Sequence, residues 1–372
     1  MPIQGVSFLF SSLTQASHAQ TGKPSDNYHH AIPRMENLQD RYTTILSIAG
    51  SDSSSGAGIQ ADIKTAQLMG VYCMTAVTSV TAQCSAGVKN KFDIPAEIVV
   101  SQIEQSFIDE PPLAVKTGML PTPETIRHTA NAIDRIGVNR LVVDPVLISS
   151  SGTPLCEPLG QCAEEMLNAL FPLATLVTPN IPEATYLCGG TLPPLNDLPA
   201  RLNTHAVLLK GGHSGNDKVN DILITRDNII VLEGNRIESS NTHGTGCVLS
   251  SAITSLLAKG FSLTYAVARA KEFITRSIAV GASYRFGIGY GPLYLLPNIY
   301  INNTSMNIII NGLPVHSPKK SLSVADALEL RKISRQGTAV AVNNRLCKAQ
   351  EWGKTFLNEG DELTVISATF GG

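Results

Sequence analysis

Seven consecutive residues, Asn241-Thr242-His243-Gly244-Thr245-Gly246-Cys247, combine the elements of an anion hole with a potential base. Two glycines let backbone N–H groups approach a ligand closely, and the helix-forming run that follows adds partial positive charge at its amino end. Such a hole suits a phosphoryl group that carries charge in its transition state. Cys247 falls on the first turn of that helix, where its thiol pKa is expected to be lowered and a thiolate could act as base. Taken alone, these residues are equally consistent with a glycine-rich turn beside a packed cysteine. A second suggestive stretch is Gly371-Gly372, which offers no side chain to pack. A tail of that kind can thread a narrow channel and present an unhindered carboxylate.

Two other glycine-rich signals are weaker. Gly56-Ala57-Gly58-Ile59-Gln60-Ala61 fits the G-x-G-x-x-A spacing of a dinucleotide fold. We reject that reading, because a loop separates the strand from the glycines and no acidic residue follows about 20 positions later. The spacing G-x-x-x-x-G-K-[ST] is absent, which excludes a P-loop enzyme.

The elements that must carry these groups alternate regularly from Tyr42 onward. Short apolar runs at 44–49, 76–80, 113–116, 140–144, 176–178 and 207–210 read as strands. Helix-period segments at 59–69, 98–107, 124–136 and 162–170 lie between them. Continuous apolar strands separated by helices predict an α/β fold, a mainly parallel sheet with helices on both faces. Several strands end on a polar residue, such as Asp144 and Lys210, and ligands of such sheets gather at those ends. A hairpin is expected over 222–232, followed by helices at 246–259 and 263–284. A second program begins at Met306, with a ββαββ order and a helix opened by Ser323 with Asp326 three residues on.

The chain has 372 residues, 43% hydrophobic and 16% charged, with a net charge of −2. That balance suits a large globular domain with a smaller one and predicts no attraction to nucleic acid or anionic membrane. No apolar run reaches the roughly 18 residues a membrane helix needs. Seven scattered cysteines, with no C-x-x-C pair, suggest neither a zinc knuckle nor a disulfide framework. A reducing, cytoplasmic location follows as the expectation. Residues 1–40 read as an irregular extension. Val6-Ser7-Phe8-Leu9-Phe10 lacks a basic segment before it and makes a poor signal peptide, so translation from Met35 is the alternative start.

Residues 42–297 resemble hydroxymethylpyrimidine/phosphomethylpyrimidine kinase of the ribokinase-like superfamily. The resemblance is carried by Ala49-Gly50-Ser51-Asp52, Gly56-Ala57-Gly58-Ile59-Gln60-Ala61-Asp62, Thr81-Ala82-Gln83 and Lys116-Thr117-Gly118-Met119-Leu120. It continues through Asp144-Pro145-Val146, Thr178-Pro179-Asn180-Ile181-Pro182-Glu183-Ala184, Lys210-Gly211-Gly212-His213 and the 241–247 stretch. The resemblance implies ATP-dependent phosphorylation of 4-amino-5-hydroxymethyl-2-methylpyrimidine and then of its monophosphate, for thiamine biosynthesis. It implies that Gln83 binds the aminopyrimidine edge, with Gly50, Asp62, Met119 and Val146 around the ring. Cys247 would take the hydroxymethyl proton, and Gly244, Thr245 and Gly246 would form the anion hole. Lys210, Asn180, Glu183, Asp144 and Thr242 would serve ATP and Mg2+, the metal through Glu183 and Asp144. A homo-oligomer through this domain is also implied. Pyridoxal kinase is the competing activity on the same fold.

Residues 306–372, after a linker at 298–305, resemble the sulfur carrier of thiamine biosynthesis, a small α+β domain of the ubiquitin-like β-grasp fold. The matching pieces are Met306-Asn307-Ile308-Ile309-Ile310-Asn311-Gly312, Ala341-Val342-Asn343, Trp352, Glu359-Gly360-Asp361-Glu362-Leu363 and Gly371-Gly372. The resemblance implies adenylation of the Gly372 carboxylate by an E1-like enzyme and conversion to a thiocarboxylate by a sulfur donor. Delivery to thiazole synthase would follow. A carrier for molybdopterin synthase, or an appendage serving only binding or oligomerisation, are the alternatives.

Overall fold

The computed structural model describes residues 41–148, 154–212, 218–296, 306–317, 319 and 321–367. The expectations for 1–40, the 298–305 linker and Gly371-Gly372 therefore lie outside the described residues. The first half of the chain runs β1 (Thr44–Asp52), α1 (Gly58–Leu68), β2 (Tyr72–Cys84), β3 (Gly87–Asp93), α2 (Ala96–Asp109), β4 (Ala114–Thr117), α3 (Pro123–Ile136) and β5 (Leu141–Val143). It continues with α4 (Leu159–Glu165), β6 (Leu176–Val177), α5 (Ile181–Leu187), α6 (Leu198–Arg201), β7 (Ala206–Leu209), β8 (Asp221–Thr225) and β9 (Ile229–Leu232). Helices α7 (Thr245–Ala258) and α8 (Leu263–Gly281) close this part.

These nine strands form one sheet in the order β3-β2-β1-β4-β5-β6-β7-β8-β9. From β2 through β7 the neighbours are parallel, and β3, β8 and β9 add antiparallel edges. Consecutive residues of β1 enter different cores: Leu46 and Ile48 pack with α2 and α3, Ile45 with α1, α7 and α8. A strand buried on both faces is largely apolar, as the run at 44–49 is apart from Thr44 and Ser47. Local signals also set the helix ends. Thr122 caps α3 by accepting from Thr125 N, Pro123 occupies its first turn, and Gly137 ends it at φ 76°.

A second sheet follows from β10 (Met306–Ile310), β11 (Leu313–Ser317), β13 (Thr338–Val342), β14 (Arg345–Cys347) and β16 (Glu362–Ser367), in the order β11-β10-β16-β13-β14. The short β12 (Leu322–Ser323) and β15 (Phe356–Leu357) pair beside it. Helix α9 (Val324–Leu330) packs Val324, Ala327 and Leu328 into a core with Ile308, Val340, Trp352 and Leu363. Ser323 and Asp326 form the expected capping box.

Three expectations need correction. Strand β2 is far longer than 76–80 and forms a hairpin with β3, whose polar sequence GVKNKFD hid it. Edge strands tolerate such residues because one face meets water. The helix expected over 162–170 is α-helical only to Glu165, and Met166–Leu170 continues as a π-helical turn. The seven cysteines include one bonded pair, Cys156–Cys162, which their scatter did not suggest. No described helix is long and apolar enough to cross a membrane.

Candidate active site

Most of the residues singled out from the sequence meet at the carboxyl ends of the parallel strands, in three connected groups. The first is built around the start of α7. Gly244 caps that helix at φ 83°, and a Cβ there would lie 1.8 Å from the Gly56 carbonyl oxygen. Only glycine can hold this backbone against the 53–57 loop. Thr245 donates its side-chain hydroxyl to the Thr242 carbonyl at 2.6 Å, which tightens the turn. A Cβ on Gly246 would lie 3.1 Å from Asp144 Oδ2 and 3.3 Å from Lys210 Nζ, so the helix start abuts both charges.

Those charges form the second group. Lys210 Nζ donates to Asp144 Oδ1 at 2.8 Å. Burial works against the Lys210 charge, but Asp144 and Glu183 outweigh it and raise its pKa. Asn180 and Glu183 lock each other at the start of α5: Asn180 Oδ1 accepts from Glu183 N, and Glu183 Oε2 accepts from Asn180 N, both at 2.8 Å. Burial, reinforced by Asp144, pushes the Glu183 carboxyl up to about 7 against the pull of Lys210. Asp144 and Glu183 are near enough to interact electrostatically, and paired carboxyl oxygens are the donors a hard cation takes. Magnesium characteristically uses one or two carboxylates and completes its shell with phosphates and water. No cluster of three metal-ligating side chains exists among the described residues.

The third group surrounds Cys247 and the expected pyrimidine pocket. Gly50 faces Met119, whose Sδ would be 3.0 Å from a Cβ at that position. Gly58, at φ 59°, sits against the Gly50 carbonyl and its N–H reaches Cys247. Beneath them Lys116 donates to both oxygens of Asp62 at 2.8 Å, and Ser47 Oγ donates to Asp62 Oδ2 at 2.6 Å. Both members of that ion pair are fully buried. Burial disfavours the Lys116 ammonium, yet Asp62, Cys247 and Asp144 together hold its proton more tightly than usual. Val146 is fixed two residues beyond Asp144 by an N–H bond to the Asp144 carbonyl.

The expectation of a lowered Cys247 pKa is overturned. Burial pushes the thiol up to about 11, with Lys116 and the Gly58 N–H opposing and Asp62 and Asp144 adding to the rise. A position on the first helical turn is outweighed here by desolvation and two nearby carboxylates. The resting cysteine is a thiol.

Sequence reasoning also passed over three residues that organise the site. Asp52 accepts from Ser54 N and Oγ, from Gly56 N and Ala57 N, and pairs with His243 Nε2 at 2.9 Å. Burial raises its carboxyl, but the bonds from His243, Ser54 and Ala57 prevail and hold it at about 2. His243 Nε2 also lies 3.1 Å from the Gln83 amide, which ties the anion-hole loop to the β2–β3 hairpin. Both residues stood inside quoted motifs, but only their contacts reveal the role. Lys116 is the third: it opens the Lys116-Thr117-Gly118-Met119-Leu120 stretch at the end of an apolar strand, and its pairing with Asp62 appears only in the fold.

Residues 52–294 match the family described as phosphomethylpyrimidine kinase, and residues 299–372 match the ThiS family. The chain is 41% identical over 256 residues to the hydroxymethylpyrimidine/phosphomethylpyrimidine kinase of Rhizobium meliloti, covering 67% of this chain and 95% of that protein. It is 41% identical over 257 residues to the thiamine biosynthesis bifunctional protein ThiED of Geobacter sulfurreducens, covering 67% of this chain and 51% of that one. Among solved structures, phosphomethylpyrimidine kinase from Clostridium difficile is similar with a TM-score of 0.55 and 41% identity, over 63% of this chain and 99% of that one. The pyridoxal kinase of Staphylococcus aureus in complex with ADP is similar with a TM-score of 0.62 and 30% identity, over 69% and 95%.

Proposed function

This chain belongs to the phosphomethylpyrimidine kinase family, and on that premise we propose that it phosphorylates hydroxymethylpyrimidine and then its monophosphate. The chain is a thiamine-biosynthesis kinase with a ribokinase-like fold, joined to a β-grasp domain of the ThiS family. ATP is its phosphoryl donor, in keeping with its kinase family and with relatives solved with ADP. The observation that carries the reading is the abutment of the Gly244-Thr245-Gly246 turn on the Asp144–Lys210 pair.

In this reading the hydroxymethyl oxygen attacks the γ-phosphorus, the new O–P bond forms as the bond to ADP breaks, and the oxygen's proton leaves. The amides at the start of α7 and the Lys210 ammonium stabilise the charge on the transferring group. Asp144 and Glu183 would hold magnesium, which when bound would neutralise phosphate charge. Gln83, Gly50, Met119, Asp62 and Val146 frame the pyrimidine. Cys247 sits at the hydroxyl, and it receives the proton only in the fraction that ionises against the Lys116 charge. The domain division at 42–297 and 306–372 belongs to the same proposal, as does the action of an adenylating enzyme, a sulfur donor and thiazole synthase at Gly372.

Phosphotransfer from ATP to hydroxymethylpyrimidine, followed by mass detection of mono- and pyrophosphate products, tests the kinase reading. Formation of both products is expected. Phosphorylation of pyridoxal with hydroxymethylpyrimidine left untouched would overturn it.

A further inference from the structure

The outer face of the kinase region carries an apolar and charged seat on α8 and the turn before it, and the second sheet is already placed against it. Helix α8 packs against β10 and β11. Alternation along β10 sends Ile308 and Ile310 into the β-grasp core and Ile309 the other way. Ile309 is fully buried, and its cluster is that of Tyr265, Ala266 and Ala270 on α8. The hydroxyl of Tyr265, a residue only 2% exposed, donates to Glu359 Oε1 at 2.8 Å. The other oxygen of Glu359 accepts from Asn307 N at 3.0 Å, and Arg269 Nε lies 3.7 Å from Oε1. One carboxylate therefore bonds a strand of the small domain and a helix of the large one at once.

Gly360 completes the contact. It adopts φ 84°, and a Cβ there would lie 2.5 Å from two ring carbons of Phe261. The Phe261 ring in turn packs on Tyr265, with centroids 4.6 Å apart. The opposite edge of the same sheet face stays open. By register with the buried positions, Ile366 and Leu346 lie on Ile309's side of the sheet, and they are 66% and 74% exposed.

We propose that α8 and Phe261 form a docking site for the β-grasp domain, so that the two halves of the chain are seated on each other rather than merely tethered. Burial of Ile309 together with a shared, doubly bonded carboxylate distinguishes this from a chance contact between linked domains, which tend to be more polar. The seat stands on contacts alone, whichever substrate the kinase takes.

Gly360→Asn in the full chain tests the seat. Asparagine tolerates a positive φ, so the substitution brings the clash with Phe261 at little backbone strain. Gly312→Asn is the control, since φ there is 75° and a Cβ would meet nothing within 4 Å. Amide hydrogen exchange in β10 and β11 is expected to accelerate about tenfold or more in Gly360→Asn, as docked surface opens. The radius of gyration should rise, kinase kcat should hold, and the control should match the parent. Phe261→Ala repeats the test from the kinase side, should Gly360→Asn unfold the small domain. A parent chain whose radius of gyration already fits independent domains, with exchange unmoved by either variant, would overturn the proposal.

Discussion

The kinase cleft and the β-grasp domain place their charges in opposite ways. In the kinase site, Asp62 of α1 and Lys116 of β4 form a fully buried ion pair, and Asp144 and Lys210, just past β5 and β7, form a largely buried one, each with further hydrogen bonds. In the small domain the described polar contacts mostly cap and turn: Ser323 with Asp326, Asn343 with Asp361, Asn311 with Val365. The difference follows from the work each region is read to do. Phosphoryl transfer needs charges fixed in a dry place before the substrate arrives. A carrier instead offers a bare carboxylate to other enzymes, so its chemistry requires little of its own side chains. A change in the cleft should therefore abolish one activity and spare the other.

Gly244→Ala is the harshest such change. Its methyl would collide with the Gly56 carbonyl, and a displaced donor in such a hole costs about 10²–10³ in kcat. We expect at least that loss in phosphotransfer, with unchanged adenylation of the tail. Lys210→Met should come next, with kcat lowered by about a hundredfold as the phosphate charge loses its cation. A loss in adenylation comparable to that in phosphotransfer, in either variant, would break the comparison.

The Cys247 thiol sharpens it. With a pKa near 11, about one thiol in a thousand is ionised at pH 8. Alkylation of Cys247, followed by peptide mass, should rise about tenfold per pH unit up to roughly pH 10. A midpoint near pH 8 would restore the thiolate expected from sequence. The smallest effect concerns stability. Asp52 is held at about 2 rather than 3.8, so its contribution is full above pH 4 and fades as pH falls toward 2. Asp52→Asn should cost roughly 2 kcal/mol at pH 7 and much less at pH 2. Denaturant unfolding at the two pH values measures the difference.

Much of this was legible from residues. The strands buried on both faces declared themselves by unbroken apolar runs, as at Leu141-Val142-Val143. The 241–247 stretch announced its turn through its glycines, of which Gly244 holds a positive φ hard against the Gly56 carbonyl. Strand β3 was illegible because an edge strand need not be apolar. The Cys247 pKa was illegible because desolvation and the nearness of Asp62 and Asp144 are properties of the folded chain. The roles of Asp52 and His243 were hidden for a related reason: 191 positions separate them along the sequence, and only the fold brings the two loops together.

The most direct test of two independent chemistries in one chain is deletion of Gly371-Gly372 from the full-length protein. Phosphotransfer to hydroxymethylpyrimidine and ATP-dependent adenylation of the C-terminus, read by intact mass, are then measured side by side with the parent. The account predicts an undiminished kinase rate and complete loss of the adenylate mass shift. A parent chain that shows no shift at Gly372 with an adenylating enzyme, or a truncated chain that loses kinase activity, would contradict it.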